Sequence, residues 1–323
     1  MRPATVTARP DGQNILVLRA LGLGDLLTGI PALRGLRRAY PAAHIVLAAP
    51  QRFGELAMLS GAVSEVVDTP ALGRLPELPG WRQPPDIAVN LHGRGPESIA
   101  DLIALQPKSV LSHRHADYPE LAGPPWRTDL HEVDRWCHML EWHGIACDPA
   151  DLTVERPHGY PERPGVVVIH PGAAFAARRW PADRYAAVAA ALHAAGHEVV
   201  VTGDAREIDL ARSVAEQAGL PETAVLAGTL DVLGLVALIS DCRLLVCGDT
   251  GVGHVATATS TPSVLLFGPT PPSRWGPRGD GPHVALWAGD KGDPHGGEPH
   301  RGLLLITVPR VLEAVEGVLG VRT

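Results

Sequence analysis

Apolar residues near the start of the chain follow two spacings, which predict a strand, a helix and a second strand. Residues 15–18 form an apolar run that is too short for a helix and suits a parallel strand buried on both faces. Apolar residues then recur at helical spacing, at Leu26, Leu27, Ile30, Leu33 and Leu36. Pro31 should kink or restart this helix, because proline lacks the backbone N–H. With a second strand at residues 45–49, the chain opens as a βαβ unit.

The alternation of strands and helices continues in two series. The first series adds a strand at 86–91, a helix from 97 and a helix at 131–143. The second has strands at 166–169, 198–202, 244–247 and 263–267, and helices at 181–196, 207–218, 231–239 and 308–319. This order predicts two doubly wound α/β domains. Ligands of such domains bind beyond the carboxyl ends of the strands, so the loops there are candidate sites.

Composition suggests where the domains divide. Residues 147–164 are rich in proline and charge, which is typical of a linker. We therefore predict a first domain at 1–150, a linker at 151–164, a second domain at 165–305 and a terminal helical segment at 306–323. Residues 271–302 are dense in glycine, proline and histidine with little periodicity, which predicts an irregular excursion.

Bulk properties exclude several classes of function. The 323 residues include 45% hydrophobic and 20% charged residues, as in a soluble globular protein. The formal net charge of -7 argues against a nucleic-acid-binding protein. No stretch approaches the roughly 20 apolar residues that span a bilayer, and residues 1–11 show no secretory signal. We therefore expect a cytoplasmic protein.

Cysteines and histidines give no sign of a metal site. The four cysteines, Cys137, Cys147, Cys242 and Cys247, contain no CxxC pair, so we expect reduced thiols. The histidines of the irregular excursion, His283, His295 and His300, lack the spacing of a ligand pair on one helix face. We expect neither a metal nor a cofactor.

The first candidate site is the loop Gly22-Leu23-Gly24-Asp25, between a buried strand and a helix. It is not a dinucleotide fingerprint, because the third glycine is missing at the needed spacing. The glycines allow a tight turn that delivers Asp25 to the carboxyl edge of the sheet. The alternative is that Asp25 only caps the helix.

The second candidate site follows the strand at 166–169. His170-Pro171-Gly172 comes directly after it, and Arg178 and Arg179 precede the next helix. Arginines beside a helix start at this edge can pair with phosphate oxygens. The alternative is that both are surface residues whose stems pack on Trp180.

The most informative loop is Gly248-Asp249-Thr250-Gly251, which leads to His254. Small residues before a helix leave backbone N–H groups open, and the helix dipole favours an anion there. Asp249 would repel a phosphate, so we expect its carboxylate to point away and order the loop. The alternative is a plain turn with Thr250 as the N-cap.

Two further loops follow strand ends. Gly268, Pro269 and Thr270 could line the same crevice as the preceding loop. Glu207 follows another strand end, where a carboxylate can accept hydrogen bonds from ribose hydroxyls. The alternative for Glu207 is an exposed residue at a helix start.

Together these pieces resemble the ADP-heptose:lipopolysaccharide heptosyltransferase family, glycosyltransferase family 9. The matching runs are residues 15–40, with Leu-Gly-Asp and Pro-Ala-Leu-Arg, 170–185, with His-Pro-Gly and Arg-Trp-Pro, and 247–276, with Gly-Asp-Thr-Gly and Phe-Gly-Pro-Thr. Their order and spacing over nearly the whole chain make the resemblance specific. The chain departs from the family at 292–300, where many relatives carry cysteines, and at Arg178, where the family often has lysine.

The resemblance implies a GT-B fold, in which two Rossmann-like doubly wound domains face a central cleft. It implies an inverting, metal-independent transfer of a heptose from a nucleotide diphosphate donor such as ADP-heptose. The first domain would bind the acceptor, the second would bind the donor, and the final helix would cross back to the first domain.

The resemblance also implies roles for individual residues. Asp25 matches the general base. The residues implied in donor binding are His170, Gly172, Arg178, Arg179, Glu207, Asp249, Thr250, Gly251, His254, Gly268, Pro269 and Thr270. Those implied in acceptor binding are Gly24, Arg94, His131 and Arg135.

The acceptor is left open. It could be a glycan such as the lipopolysaccharide core, a lipid-linked molecule or a small molecule, with transient contact to a membrane surface. Two other functions compete with transfer, namely a nucleotide-sugar epimerase of GT-B fold and a nucleotide-sugar-binding protein without turnover.

Overall fold

The computed structural model describes residues 12–73, 75, 81, 83–279 and 281–320. The chain divides into two compact units, Met1–Leu152 and Thr153–Thr323. The expectation about a secretory signal falls on residues 1–11, which lie outside the described residues.

Unit 1 contains a five-stranded parallel sheet with the order β3-β2-β1-β4-β5. The strands are β1 (Asn14–Leu18), β2 (His44–Ala49), β3 (Glu65–Asp68), β4 (Ile87–Asn90) and β5 (Ser109–Leu111). In the central register, Val17 of β1 pairs with Leu47 on one side and Val89 on the other. These central positions are fully buried, which explains the unbroken apolar runs in the sequence.

The helices of unit 1 are α1 (Leu23–Ala39), α2 (Gly54–Leu59), α3 (Glu97–Ala104) and α4 (Glu132–Trp142). We predicted that Pro31 kinks or restarts the first helix. It does not restart the helix, because α1 runs unbroken through it. The apolar face of α1 is buried on both sides of the proline, at Ile30 and Leu33. Packing of this face offsets the one backbone hydrogen bond that proline removes.

Two mid-helix glycines should respond in opposite directions to alanine. In α1, a Cβ at Gly35 would lie 2.6 Å from Sγ of Cys147, so Gly35→Ala overpacks the site and should destabilise the protein by about 1–3 kcal/mol. Gly317 lies in an exposed helical position where a Cβ would have no neighbour within 4 Å, so Gly317→Ala should stabilise by about 0.5–1 kcal/mol. Calorimetric unfolding of the full chain measures both. If both variants changed the stability of the protein equally and in the same direction, the packing at Gly35 would be contradicted.

Unit 2 contains a second five-stranded parallel sheet, with the order β10-β9-β8-β6-β7. Its strands are β6 (Val167–His170), β7 (Val199–Val201), β8 (Leu244–Gly248), β9 (Ser263–Phe267) and β10 (His283–Trp287). The predicted irregular excursion at 271–302 is therefore wrong over β10. The strand was missed because it lies at the sheet edge, where four of its five side chains are only partly buried, and because Gly281 and Pro282 precede it.

The helices of unit 2 are α5 (Ala182–Ala194), α6 (Ile208–Gln217), α7 (Val232–Asp241), α8 (Gly251–Ala258), α9 (Pro272–Trp275), α10 (Arg301–Leu304) and α11 (Val308–Leu319). The apolar face of α11 packs on α5, β9 and β10 of this unit, with Val311 and Val315 buried in its core. This packing uses the apolar stripe of α11 within unit 2, and the expectation that the last helix crosses back to the first domain stays a prediction. No helix in the described ranges is long and apolar enough to cross a membrane.

Each sheet has a point where the direction of strand addition reverses. In unit 1 it lies between β1 and β4, and in unit 2 between β6 and β8. Helices leave the sheet on opposite faces at such a point, which opens a crevice beyond the carboxyl ends of the two strands. The loops after β1, β4, β6 and β8 contain most of the predicted site residues.

Candidate functional site

Asp25 lies in the first turn of α1, directly beyond the end of β1. Its Oδ2 accepts a hydrogen bond of 3.1 Å from the backbone N–H of Gly22, so the carboxylate does cap the helix. A carboxylate has two oxygens, so Asp25 can order the turn through Oδ2 and still take a proton.

Burial raises the pKa of Asp25 above its usual value, and the Arg19 guanidinium opposes part of this rise. A carboxylate whose pKa is raised toward the working pH is a better proton acceptor than an ordinary aspartate. A carboxylate at this position can therefore accept a proton.

Arg19 is the principal residue that sequence reasoning missed in unit 1. Its side chain is buried and donates to the backbone carbonyls of Asp25 and Leu91, and its Nη2 donates to Oγ1 of Thr28 at 3.0 Å. Gly29 makes room, because a Cβ there would lie 2.8 Å from Nε of Arg19. The available signal was an arginine placed directly after a buried strand.

Glu132, at the start of α4, is the buried counter-ion of two arginines. Its Oε1 lies 3.6 Å from Nη2 of Arg19, and its Oε2 accepts from Nε of Arg135 at 3.0 Å. The indole of Trp136 donates to Oε1 at 2.7 Å. Burial alone would raise the pKa of Glu132, but the two arginines hold it below its usual value. With Asp25 ionised, two carboxylates balance two guanidinium groups.

The predicted acceptor residues lie on α1, at α4 and on the loop after β4. Gly24 lies in the first turn of α1, and His131 caps α4, where its Nδ1 accepts from the N–H of Val133. Arg135 is buried, and its guanidinium donates to Glu132 and to the backbone carbonyls of Arg127 and Leu130. Its part in acceptor binding stays a prediction. Arg94 is exposed on the loop after β4, and no described hydrogen bond joins it to this network.

His92 connects the ends of the two strands that flank the reversal point. Its Nδ1 accepts from the N–H of Ala20 at 3.2 Å. Burial, together with the nearby charge of Arg19, lowers the pKa of His92 to about 4. His92 is therefore neutral near pH 7 and fixes the geometry of the edge next to Asp25.

In unit 2, the structure distinguishes the two adjacent arginines. Nη1 of Arg178 lies 3.4 Å from the carbonyl of Asp249, and its buried Nε has no partner among the described residues. Nε of Arg179 instead donates to the carbonyl of Ala173 at 2.8 Å. Arg178 therefore faces the loop after β8, whereas Arg179 stabilises its own loop.

The loop after β8 is ordered through Asp249. Burial raises the pKa of Asp249 to about 6, opposed by the charge of Arg178 and by a hydrogen bond with Thr270. This bond connects the loop after β8 to the loop after β9. Thr250 occupies the N-cap of α8, but its side chain makes no capping hydrogen bond. The helix start is therefore suited to an external anion.

A small pocket lies beside this helix start. His254 packs against Trp275 with the ring centroids 5.8 Å apart. The pocket is lined by Gly248, Asp249, Thr250, Gly253, His254, Thr257, Leu265, Phe267, Trp275 and Pro277. It includes three of the predicted donor residues and adds Trp275 and Pro277.

Glu207 and His170 meet at the ends of β6 and β7. Nδ1 of His170 lies 3.0 Å from Oγ1 of Thr202, and burial lowers the pKa of His170. A Cβ at Gly172 would lie 2.2 Å from a carboxylate oxygen of Glu207, so the carboxylate packs directly over this glycine and would have to move if another residue stood there. Oε2 of Glu207 accepts from the N–H of Asp204 at 3.0 Å, which holds the carboxylate at the carboxyl edge. In the described part of the chain, no three His, Cys, Asp or Glu side chains form a group that could hold a metal ion.

Comparison with known proteins relates these loops to a family. A family model described as glycosyltransferase family 9 (heptosyltransferase) matches residues 131–290. Lipopolysaccharide heptosyltransferase 3 of Escherichia coli is 36% identical over 126 residues, which cover 38% of this chain and 37% of that protein. Over residues 131–290 the chain is similar to glycosyltransferase family 9.

Solved structures of family 9 proteins have the same fold. The glycosyl transferase family 9 structure from Veillonella parvula has a TM-score of 0.77 at 22% identity and covers 97% of this chain and 99% of that one. The E. coli ADP-heptose lps heptosyltransferase II structure has a TM-score of 0.75 at 24% identity, over 95% and 98% of the two chains. The predicted GT-B fold class is confirmed.

The sequence match to family 9 is concentrated in one part of the chain. The chain spans half or less of the length of the curated relatives that it matches at more than 30% identity. The segment matched by the family model includes all the loops of unit 2 described above. Asp25 and Arg19 lie outside that segment.

Proposed function

We propose that this protein is an inverting heptosyltransferase that uses a nucleoside diphosphate heptose, such as ADP-heptose, as donor. Unit 2 binds the donor, and unit 1 binds an acceptor that carries a free hydroxyl on a lipopolysaccharide-type glycan. Relatives named lipopolysaccharide heptosyltransferases, and one solved structure named for ADP-heptose, support this choice of donor and acceptor.

The observation that carries the proposal is the position of Arg178 beside the start of α8. Its buried Nε has no partner among the described residues, and the side chain of Thr250, the N-cap of α8, makes no capping hydrogen bond. Diphosphate oxygens can accept hydrogen bonds from both the guanidinium and the backbone N–H groups. Glu207 lies at the next strand end, where it accepts from the hydroxyls of the ribose.

In the proposed reaction, the oxygen of the acceptor hydroxyl attacks the anomeric carbon of the heptose, and Asp25 takes the proton of that hydroxyl. The bond from that carbon to the diphosphate oxygen breaks, and its electron pair leaves with the nucleoside diphosphate. Arg178 and the helix start neutralise the developing charge. A single displacement inverts the anomeric configuration, and the products are the glycosylated acceptor, the nucleoside diphosphate and a proton.

The two adjacent arginines should differ in donor binding. Arg178→Ala removes a charged hydrogen bond to the diphosphate and should weaken ADP binding by about 1.5–3 kcal/mol. Arg179→Ala is the matched control and should leave ADP affinity nearly unchanged, because its Nε is already used by Ala173. Isothermal titration calorimetry with ADP measures both. An Arg178→Ala variant with wild-type affinity would refute the diphosphate site.

The base of the donor nucleotide is tested by the same calorimetric titration. ADP, UDP and GDP are titrated into the wild-type protein, and we expect the tightest binding with ADP.

Incubation with ADP-heptose separates transfer from the two competing functions. If the sugar is altered in the absence of acceptor, an epimerase is favoured. Tight ADP-heptose binding without turnover on any acceptor would favour a binding protein.

A further inference from the structure

Residues 287–300, which we name the strap, fix the loop after β9. The indole N–H of Trp287 donates to the carbonyl of Gly268 at 3.0 Å and lies 3.2 Å from the carbonyl of Asp290. The N–H of Gly292 donates to the carbonyl of Pro269 at 3.1 Å. The strap therefore holds the loop whose Thr270 binds Asp249.

The strap also holds the turn that contains Arg178. The N–H of Ala177 donates to the carbonyl of Gly296 at 3.1 Å, and the carbonyl of Ala177 accepts from the N–H of His300 at 3.3 Å. Both backbone groups of the residue next to Arg178 are thus bonded to the strap. The turn cannot shift without breaking these contacts.

Side chains extend this connection to the guanidinium itself. The ring of His295 packs edge-on against Phe175, with centroids 4.6 Å apart and an interplanar angle of 90°. The guanidinium carbon of Arg178 lies 5.5 Å from the centroid of the same ring. Phe175 is 39% exposed, so its burial in a core does not explain its position. Its ring contacts the ring of His295 in the strap and the guanidinium of Arg178.

We propose that Phe175 and His295 are positioning residues, which hold Arg178 in the orientation that binds the diphosphate of the donor. The proposal rests on the proposed function, because it assigns these residues to the same anion site. They act through Arg178 and do not themselves touch the donor. In this way the strap sets donor affinity.

Variants of Phe175 test the proposal through ADP affinity. Phe175→Leu keeps bulk and loses the ring, and we expect ADP binding to weaken about two- to fivefold, as for loss of one exposed cation–π contact. His295→Ala should weaken ADP binding in the same direction. Phe175→Tyr keeps the ring and should bind ADP as the wild type does. In an Arg178→Ala background, Phe175→Leu should have no further effect, because its action depends on the guanidinium.

The control is Met58→Ala, which truncates a side chain of similar exposure, 44%, in unit 1 and should leave ADP affinity unchanged. Thermal unfolding shows that each variant is folded. If Arg178→Ala weakens ADP binding but Phe175→Leu does not, the positioning role is refuted while the proposed function stands. The positioning role is also refuted if Phe175→Leu weakens binding equally in both backgrounds. If the wild type binds no ADP, or Arg178→Ala has no effect, the diphosphate site itself is wrong.

Discussion

Asp25→Asn should lower turnover by at least about 100-fold while ADP-heptose affinity stays close to that of the wild type. The amide cannot take the proton of the acceptor hydroxyl, so the attacking oxygen loses its base. Asparagine keeps an oxygen that can accept from the N–H of Gly22, so the cap on α1 and the fold should remain. Steady-state kinetics with donor and acceptor, together with calorimetric donor binding, separate the two effects.

The matched control for this change is Asp183→Asn, which also replaces an aspartate in the first turn of a helix, α5. We expect it to keep full activity. Turnover of Asp25→Asn within a few-fold of the wild type would show that Asp25 only caps the helix, and the base would have to be another group.

Glu132→Ala should destabilise the protein by about 3–5 kcal/mol, because it leaves two buried arginines without their shared carboxylate. Arg19 and Arg135 both lie against Glu132 in an almost fully buried environment. Glu132→Gln keeps the shape and can still accept one hydrogen bond, so its effect should be smaller. Urea unfolding at neutral pH measures both variants.

Glu141→Gln, on the exposed side of the same helix, is the control and should change stability by less than about 0.5 kcal/mol. If Glu132→Ala were as stable as this control, the arginines would not depend on their counter-ion. In that case the charge balance around Asp25 would also need another explanation.

The main elements of both sheets could be predicted from sequence because their strands are buried on both faces and read as short apolar runs. The edge strand β10 could not be predicted, because its side chains are mostly half-buried and it is held by pairing with β9. The position of α11 could not be read from its apolar stripe, which shows that a face is buried but not against what.

The candidate site shows the same limit. Strand ends followed by Asp25, Arg178 and Asp249 were visible as chemistry at the carboxyl edge. The pairing of Arg19 with Glu132 could not be seen in the sequence, because the two residues are far apart in the chain and only the tertiary fold brings them within 3.6 Å. The sequence also left open which of two adjacent arginines faces the site, a choice that depends on the turn at 176–178.

The most direct test of the central claim is to follow the reaction of the purified protein with ADP-heptose and a heptose-deficient lipopolysaccharide core by NMR. We expect a new glycosidic bond whose anomeric configuration is opposite to that of the donor, with release of ADP, and no such product with Asp25→Asn. Transfer with retention of configuration, or ADP-heptose that remains unbound and unchanged, would contradict the account.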